Sequence, residues 1–261
     1  MPATGVGAVL SAAWLLVAAA LLAVYELRRR RWDGRWSQWR RACWAGGVIL
    51  LAIAGAGPIA ARAGGHAWAS VLQYSLLLYG VPPLFALGAP WALLRGPSVR
   101  SLRRSPRRGW PSLAAYAVVM IAWRLPVMVD AAARHPALLF AEGLTLVAGG
   151  WALWSALVGS APVVAVPELP RRMALAAVAA WSAWAFAYIE GMSSRPFYGA
   201  FAARPDAIGG QELAVGIWWA ASASALAPVV FVSMTRWLGG EHELGEAGSA
   251  SLRRSWAGHG G

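Results

Sequence analysis

Seven stretches of the chain run apolar for about the length of a bilayer crossing: roughly 5–25, 42–61, 67–94, 111–129, 137–158, 172–192 and 212–235. A helix needs ~20 such residues to cross a ~30 Å hydrocarbon core. The first stretch carries no charge from Val6 to Tyr25, and the second runs from Ala42 to Ala61 before Arg62. The third, Ala67 to Leu94, exceeds a straight crossing at ~1.5 Å per residue. It contains Gly80, Pro82, Pro83, Gly88 and Pro90, so a kink or break is expected near the paired prolines. The fourth contains an arginine, Arg124. The pattern predicts an all-α, polytopic bundle of about seven transmembrane helices over residues 1–238. Residues 239–261, rich in Gly, Ser and Ala with no apolar period, read as a disordered tail.

Composition agrees with the pattern. Hydrophobic residues make up 59% of the chain and charged residues 13%, about half the ~25% usual in soluble domains. The net charge of +12 comes from 23 arginines and no lysine. With the N-terminus outside, 18 arginines fall on the cytoplasmic segments and four outside: Arg62, Arg134, Arg195 and Arg204. Arg172 stands at the cytoplasmic boundary of the sixth span, and only Arg124 lies inside one. That asymmetry follows the positive-inside rule and places the C-terminus in the cytoplasm. The same role accounts for the basic balance without nucleic acid, because the arginines flank spans instead of forming one face. Met1–Gly7 carries no positive side chain and Arg28–Arg31 follows the first span, the reverse of a cleaved signal peptide.

Other residue classes narrow the chemistry. Seventeen tryptophans suit an interfacial belt at Trp32, Trp36, Trp39, Trp44, Trp91, Trp110 and Trp237, and helix packing at Trp123, Trp151, Trp154, Trp181 and Trp184. Cys43 is the single cysteine, so no paired-thiol motif exists. The histidines are His66, His135, His242 and His259; none lies deep in a span, which excludes an intrinsic bis-histidine haem. P-loop, HExxH and GxSxG spacings are absent.

Ionisable groups within a membrane are the default site, and here they gather on the assigned outer side. Arg124 sits in Trp123-Arg124-Leu125-Pro126, Asp130 follows it, and Glu142 begins the fifth span. Glu190 ends the sixth, Gln211 and Glu212 begin the seventh, and Gln73 and Tyr74 belong to the third. An arginine facing lipid costs ~2.5–3.5 kcal/mol on the insertion scale. Pairing with Glu142, Glu190 or Glu212 is therefore expected to tie helices together at the outer mouth. The alternative is that Arg124 snorkels to headgroups while the acids are solvated. For a metal, the candidates are His66, His135, Met128 and Met192, donors of a type suited to Cu(I). They come from separate segments without ligand spacing, so no metal or other cofactor is expected, with copper the one to consider.

These residues also form an ordered series of motifs. The stretch from Gln73 through Pro82-Pro83 to Leu87-Gly88-Ala89-Pro90 resembles the central helix of the CtaG-type cytochrome c oxidase assembly factors. Trp123-Arg124-Leu125-Pro126 resembles that family's Trp-His-x-Pro, His135-Pro136 a following His-Pro, and Glu142 its Glu-His. Arg195-Pro196-Phe197-Tyr198 resembles its Arg-Pro-Leu-Tyr loop, and Gln211-Glu212-Leu213 with Trp218 its Asp-Gln-x-Leu…Trp. The likeness covers nearly all of the chain except the tail. The departures concern the histidines. The resemblance implies a His-Met-x-x-His where Ser70 and Tyr74 stand, and histidines at Arg124 and Gly143; its Asp before Gln211 is Gly210.

The resemblance implies a bacterial inner-membrane protein that supports assembly of a haem–copper oxidase. It would act through oxidase subunits or other assembly factors, without catalysis, and having lost the constellation that would handle copper. Two alternatives are a permanent accessory subunit of a respiratory oxidase and a small-solute transporter built around a broken third helix and Arg124. An external haem platform rich in Trp is not supported, because residues 193–211 hold no Trp.

Overall fold

The structure is a computed structural model that describes residues 3–31, 36–90, 109–158 and 168–257, with side chains from residue 7 to residue 239. The Arg-rich loop 95–108, Trp32, Arg35, Trp91 and the tail side chains lie outside the described residues. Among the described residues there is no strand. The helices are α1 (Ala3–Arg30), α2 (Gln38–Ala56), α3 (Pro58–Ala63), α4 (Ala67–Ser75) and α5 (Val81–Gly88). They continue as α6 (Gly109–Ala122), α7 (Pro126–Arg134), α8 (Pro136–Val158), α9 (Leu169–Gly191) and α10 (Ala207–Ala257).

Among the described residues six continuous helical segments are long and apolar enough to cross a membrane, and the bent pair α6–α7 makes a seventh if counted as one crossing. The chain is a membrane protein built as a helical bundle. The candidate crossing in α10 ends at Gly239, where the tail was expected to begin, and the backbone stays helical to Ala257.

The expected break falls elsewhere. The third span is continuous from Ala67 to Gly88, and a π-helical turn at Leu76–Gly80 joins α4 to α5 immediately before Pro82 and Pro83. Proline removes a backbone donor; a local π turn lets the helix absorb that loss. The sharp bend lies instead in the fourth span, at 67° between α6 and α7. Its cause is local. Leu125, forced out of the helical region by the following proline, is extended at φ −65°, ψ 134°, and Pro126 opens α7.

Helix phase decides what faces inward. On α9 the buried stripe is Ala176, Ala179, Ala183 and Ala187, and three residues on it reaches Glu190. On α10 the stripe runs Gln211, Ala214, Trp218 and Ser222, all buried. Small residues let α9 and α10 approach closely, as membrane helices without a hydrophobic drive must. Glu190 and Gln211 thus arrive opposite each other as the polar ends of two apolar stripes.

The tryptophans divide differently from expectation. Trp44 is core: it stacks on Tyr25 and Phe85 at 4.9 and 4.5 Å, and its Nε1 donates to the Leu21 carbonyl at 3.3 Å. Trp36 donates to the Tyr25 hydroxyl at 2.8 Å. Trp39, Trp110 and Trp237 are exposed, as a belt requires, but so is Trp181, which was expected to pack inside.

Candidate functional site

The α6–α7 bend is what turns Arg124 inward. The helix ends with the Arg124 and Leu125 amides both donating to the Ile121 carbonyl, at 3.0 and 3.1 Å. The two residues then diverge: Leu125 is 40% exposed while Arg124 is 1% exposed. A guanidinium this deeply buried requires a counter-charge.

Glu190 supplies it. Arg124 Nη2 donates to Glu190 Oε2 at 2.7 Å, with both side chains sealed. Three aromatic rings surround the cation: its Cζ lies 4.6 Å from the Tyr198 centroid, 5.1 Å from Trp218 and 5.6 Å from Tyr74. Ring faces attract a cation, more so when desolvated. Tyr198 also donates its hydroxyl to Glu190 Oε2 at 2.9 Å, and Tyr74 donates to the Met120 carbonyl at 2.8 Å, pinning the third span to the end of α6. Gln211 binds twice. Its Nε2 donates to the Glu190 carbonyl at 2.9 Å and its Oε1 accepts from the Phe197 amide at 2.7 Å. Burial, reinforced by Glu190 and opposed by Arg124, holds the Tyr198 phenol above its usual range, so it serves as a neutral donor.

Of the residues expected at this site, Arg124, Glu190, Gln211 and Tyr74 converge, and Tyr198 joins them from the Arg-Pro-Phe-Tyr loop. Glu142 is half-buried at the edge and feels the charge of Arg124, but forms no ion pair with it. Glu212 is exposed; it stands one residue, about 100° of helix, away from the inward line through Gln211 and Trp218. Asp130 serves a separate contact, Oδ1 accepting from the Ala200 amide at 2.8 Å. Gln73 ties α4 to α2 through the Ala54 carbonyl at 2.8 Å. Arg195 and Pro196 belong to the loop that delivers Tyr198, and Ser193 Oγ donates to the Arg195 carbonyl at 2.7 Å.

The cage continues into the bundle through residues that sequence reasoning did not join. Trp218 Nε1 donates to Tyr79 Oη at 3.4 Å, Tyr79 and Tyr116 share a hydroxyl contact at 2.8 Å, and Tyr116 donates to the Ala179 carbonyl at 3.4 Å. Only their helix phase pointed inward. The metal candidates do not assemble: His135, Met128 and Met192 are exposed, and His66 is half-buried at the start of α4. No group of three or more His, Cys, Asp or Glu side chains suited to a metal occurs among the described residues.

A buried ion pair in an aromatic cage thus joins the third, fourth, sixth and seventh spans with the 193–206 loop. The sequence model of the family described as cytochrome c oxidase caa3 assembly factor (Caa3_CtaG) matches residues 18–239. The chain belongs to this family. The match takes in every cage residue; it leaves out α1 before Ala18 and α10 beyond Gly239. Comparison with curated proteins and with solved structures returned no match.

Proposed function

We propose that this Caa3_CtaG-family protein supports assembly of a haem–copper cytochrome c oxidase in a bacterial inner membrane. It would do so through contacts with oxidase subunits or other assembly factors, without catalysis and without a copper site of its own. Family membership supports the oxidase context. The observation that carries the rest is the Arg124 cage: a fixed internal cation occupies the polar end of the bundle. A bound metal ion there would be repelled by the guanidinium, and the two phenols in contact with it are poor Cu(I) ligands.

The positions where the resemblance implied histidines support the same reading. Tyr74 is committed to Met120 and Arg124. At Gly143 even a Cβ would lie 2.4 Å from Trp14 Cζ2, so an imidazole would have to displace that ring. The arginine asymmetry supports an outer-side cage, the side on which an extracytoplasmic copper centre would be loaded. In this reading the cage stiffens the outer mouth and presents the 193–206 loop as a partner surface. The transporter alternative gains nothing from the geometry, because the third span is continuous and the cage is filled by its own side chains.

The test is a strain lacking this chain, complemented with wild type or Arg124→Met. The expected result is reduced assembled oxidase in the null, restored by wild type alone, with well below one copper per chain in protein purified from copper-replete membranes. Unchanged oxidase levels in the null would reject the assembly role. Copper at unit stoichiometry on this chain alone would reject the loss of the metal site.

A further inference from the structure

A large apolar groove of about 350 Å³ lies between α1 and α8, at the end of the bundle away from the cage. Trp14 and Arg28 line it from α1, Val147, Ala148 and Trp151 from α8, and Phe85 from α5. All three helices belong to candidate crossings, so the groove opens toward the bilayer. The geometry points to a binding site for one anionic phospholipid, its acyl chain in the groove and its phosphate on Arg28.

Length supports a lipid. From Trp14 to Arg28 the wall is fourteen residue steps of α1, or ~21 Å at ~1.5 Å per residue. One leaflet with its headgroup layer measures ~20–22 Å, half of a 40–45 Å bilayer. The groove therefore spans one leaflet and stops. Trp14 closes it midway, with its ring 4.9 Å from that of Phe140; the space beyond is a separate, smaller cavity reaching Gly7, Ser11 and Gln73. A crossing partner helix would need a seat through both leaflets.

Charge placement supports an anionic headgroup. Among the described residues Arg29 and Arg41 are both committed to Glu26, at 2.9 and 2.8 Å. Arg28, one residue away, is the only charged one among the described residues lining the groove; it is exposed and has no acidic partner among them. A phosphate at the interface would complete it, as basic residues at helix ends do with anionic lipids.

The experiment uses the full chain in mild detergent, titrated with phosphatidylglycerol or phosphatidylcholine and read by native mass spectrometry. One retained phosphatidylglycerol is expected, favoured about fivefold over phosphatidylcholine, the equivalent of ~1 kcal/mol for one arginine. Arg28→Gln should abolish the preference, Arg30→Gln should leave it, and Ala148→Trp should eliminate retention of both lipids. Arg28 is exposed, so its variant remains interpretable if the groove-filling one fails to fold. A photo-crosslinker at position 148 in native membranes should capture lipid. An undiminished preference in Arg28→Gln, or a crosslinked polypeptide at 148, overturns the proposal.

Discussion

Arg124 and Glu190 stand 66 positions apart in sequence and meet at 2.7 Å with neither reachable by solvent. The consequence is asymmetric. Removing one partner leaves an uncompensated buried charge and costs ~3–5 kcal/mol, whereas removing both costs much less. Arg124→Met and Glu190→Gln should each be strongly destabilising, and the double variant should lose clearly less than their sum. Unfolding in detergent, followed by tryptophan fluorescence, measures the coupling. Additive losses would show that the two groups do not depend on each other.

The Tyr198 hydroxyl gives a pH signature. Burial chiefly, with Glu190 adding and Arg124 opposing, raises its phenol above the ordinary value. An unfolded chain would release that proton near pH 10, before the folded one. The contribution to stability is therefore complete below pH ~10 and is lost as pH rises toward the folded value. Tyr198→Phe should cost ~1–3 kcal/mol near neutrality, since a buried carboxylate oxygen loses a donor. Above pH ~10 its stability should fall less steeply than that of wild type. Parallel pH profiles would remove the phenol from the argument.

The limits of the sequence are instructive at this same site. Glu190 could be placed inward because it continues the small-residue stripe through Ala183 and Ala187. Glu212 could have been excluded by the same phase, since Gln211, Ala214 and Trp218 define the buried line of α10. The bend at Arg124 was written in Pro126, but the paired prolines of the third span drew the expectation away from it. There the π turn absorbs them. Tyr198 is different. It comes from a loop, where no period links a side chain to a face, and only the fold brings it over the guanidinium. The groove beside α1 was equally illegible, because a lipid-facing and a cavity-facing apolar residue look alike in sequence.

Two glycines of α8 should respond differently to the same added methyl group. A Cβ at Gly143 would lie 2.4 Å from Trp14 Cζ2, a side chain that can be shortened. A Cβ at Gly150 would lie 2.6 Å from both the Leu78 carbonyl oxygen and Pro82 Cγ, against backbone and a fixed ring. Each Gly→Ala change should cost ~1–3 kcal/mol as overpacking. Adding Trp14→Leu should recover most of the loss for Gly143→Ala and none for Gly150→Ala. Thermal unfolding of the four variants in one detergent decides it; rescue of Gly150→Ala would mean that the α5–α8 contact is not limited by backbone.

Asp130 holds the loop that carries Tyr198, and the cage should loosen through it. Its Oδ1 accepts from the Ala200 amide at 2.8 Å, within the short 3₁₀ turn Gly199–Phe201, and Tyr198 immediately precedes that turn. Asp130→Ala deletes the acceptor at a cost of ~1 kcal/mol, typical of one hydrogen bond. Asp130→Asn keeps an oxygen there and should lose less. Hydrogen exchange across 193–206 should accelerate in the alanine variant while the α9 core around Ala183 stays protected, because local opening need not involve the bundle. If the loop is the partner surface, oxidase assembly should fall in step with that exchange rate, with Asp130→Asn between wild type and Asp130→Ala. Faster exchange with undiminished oxidase would leave the loop a structural lid over the cage and move the partner surface elsewhere.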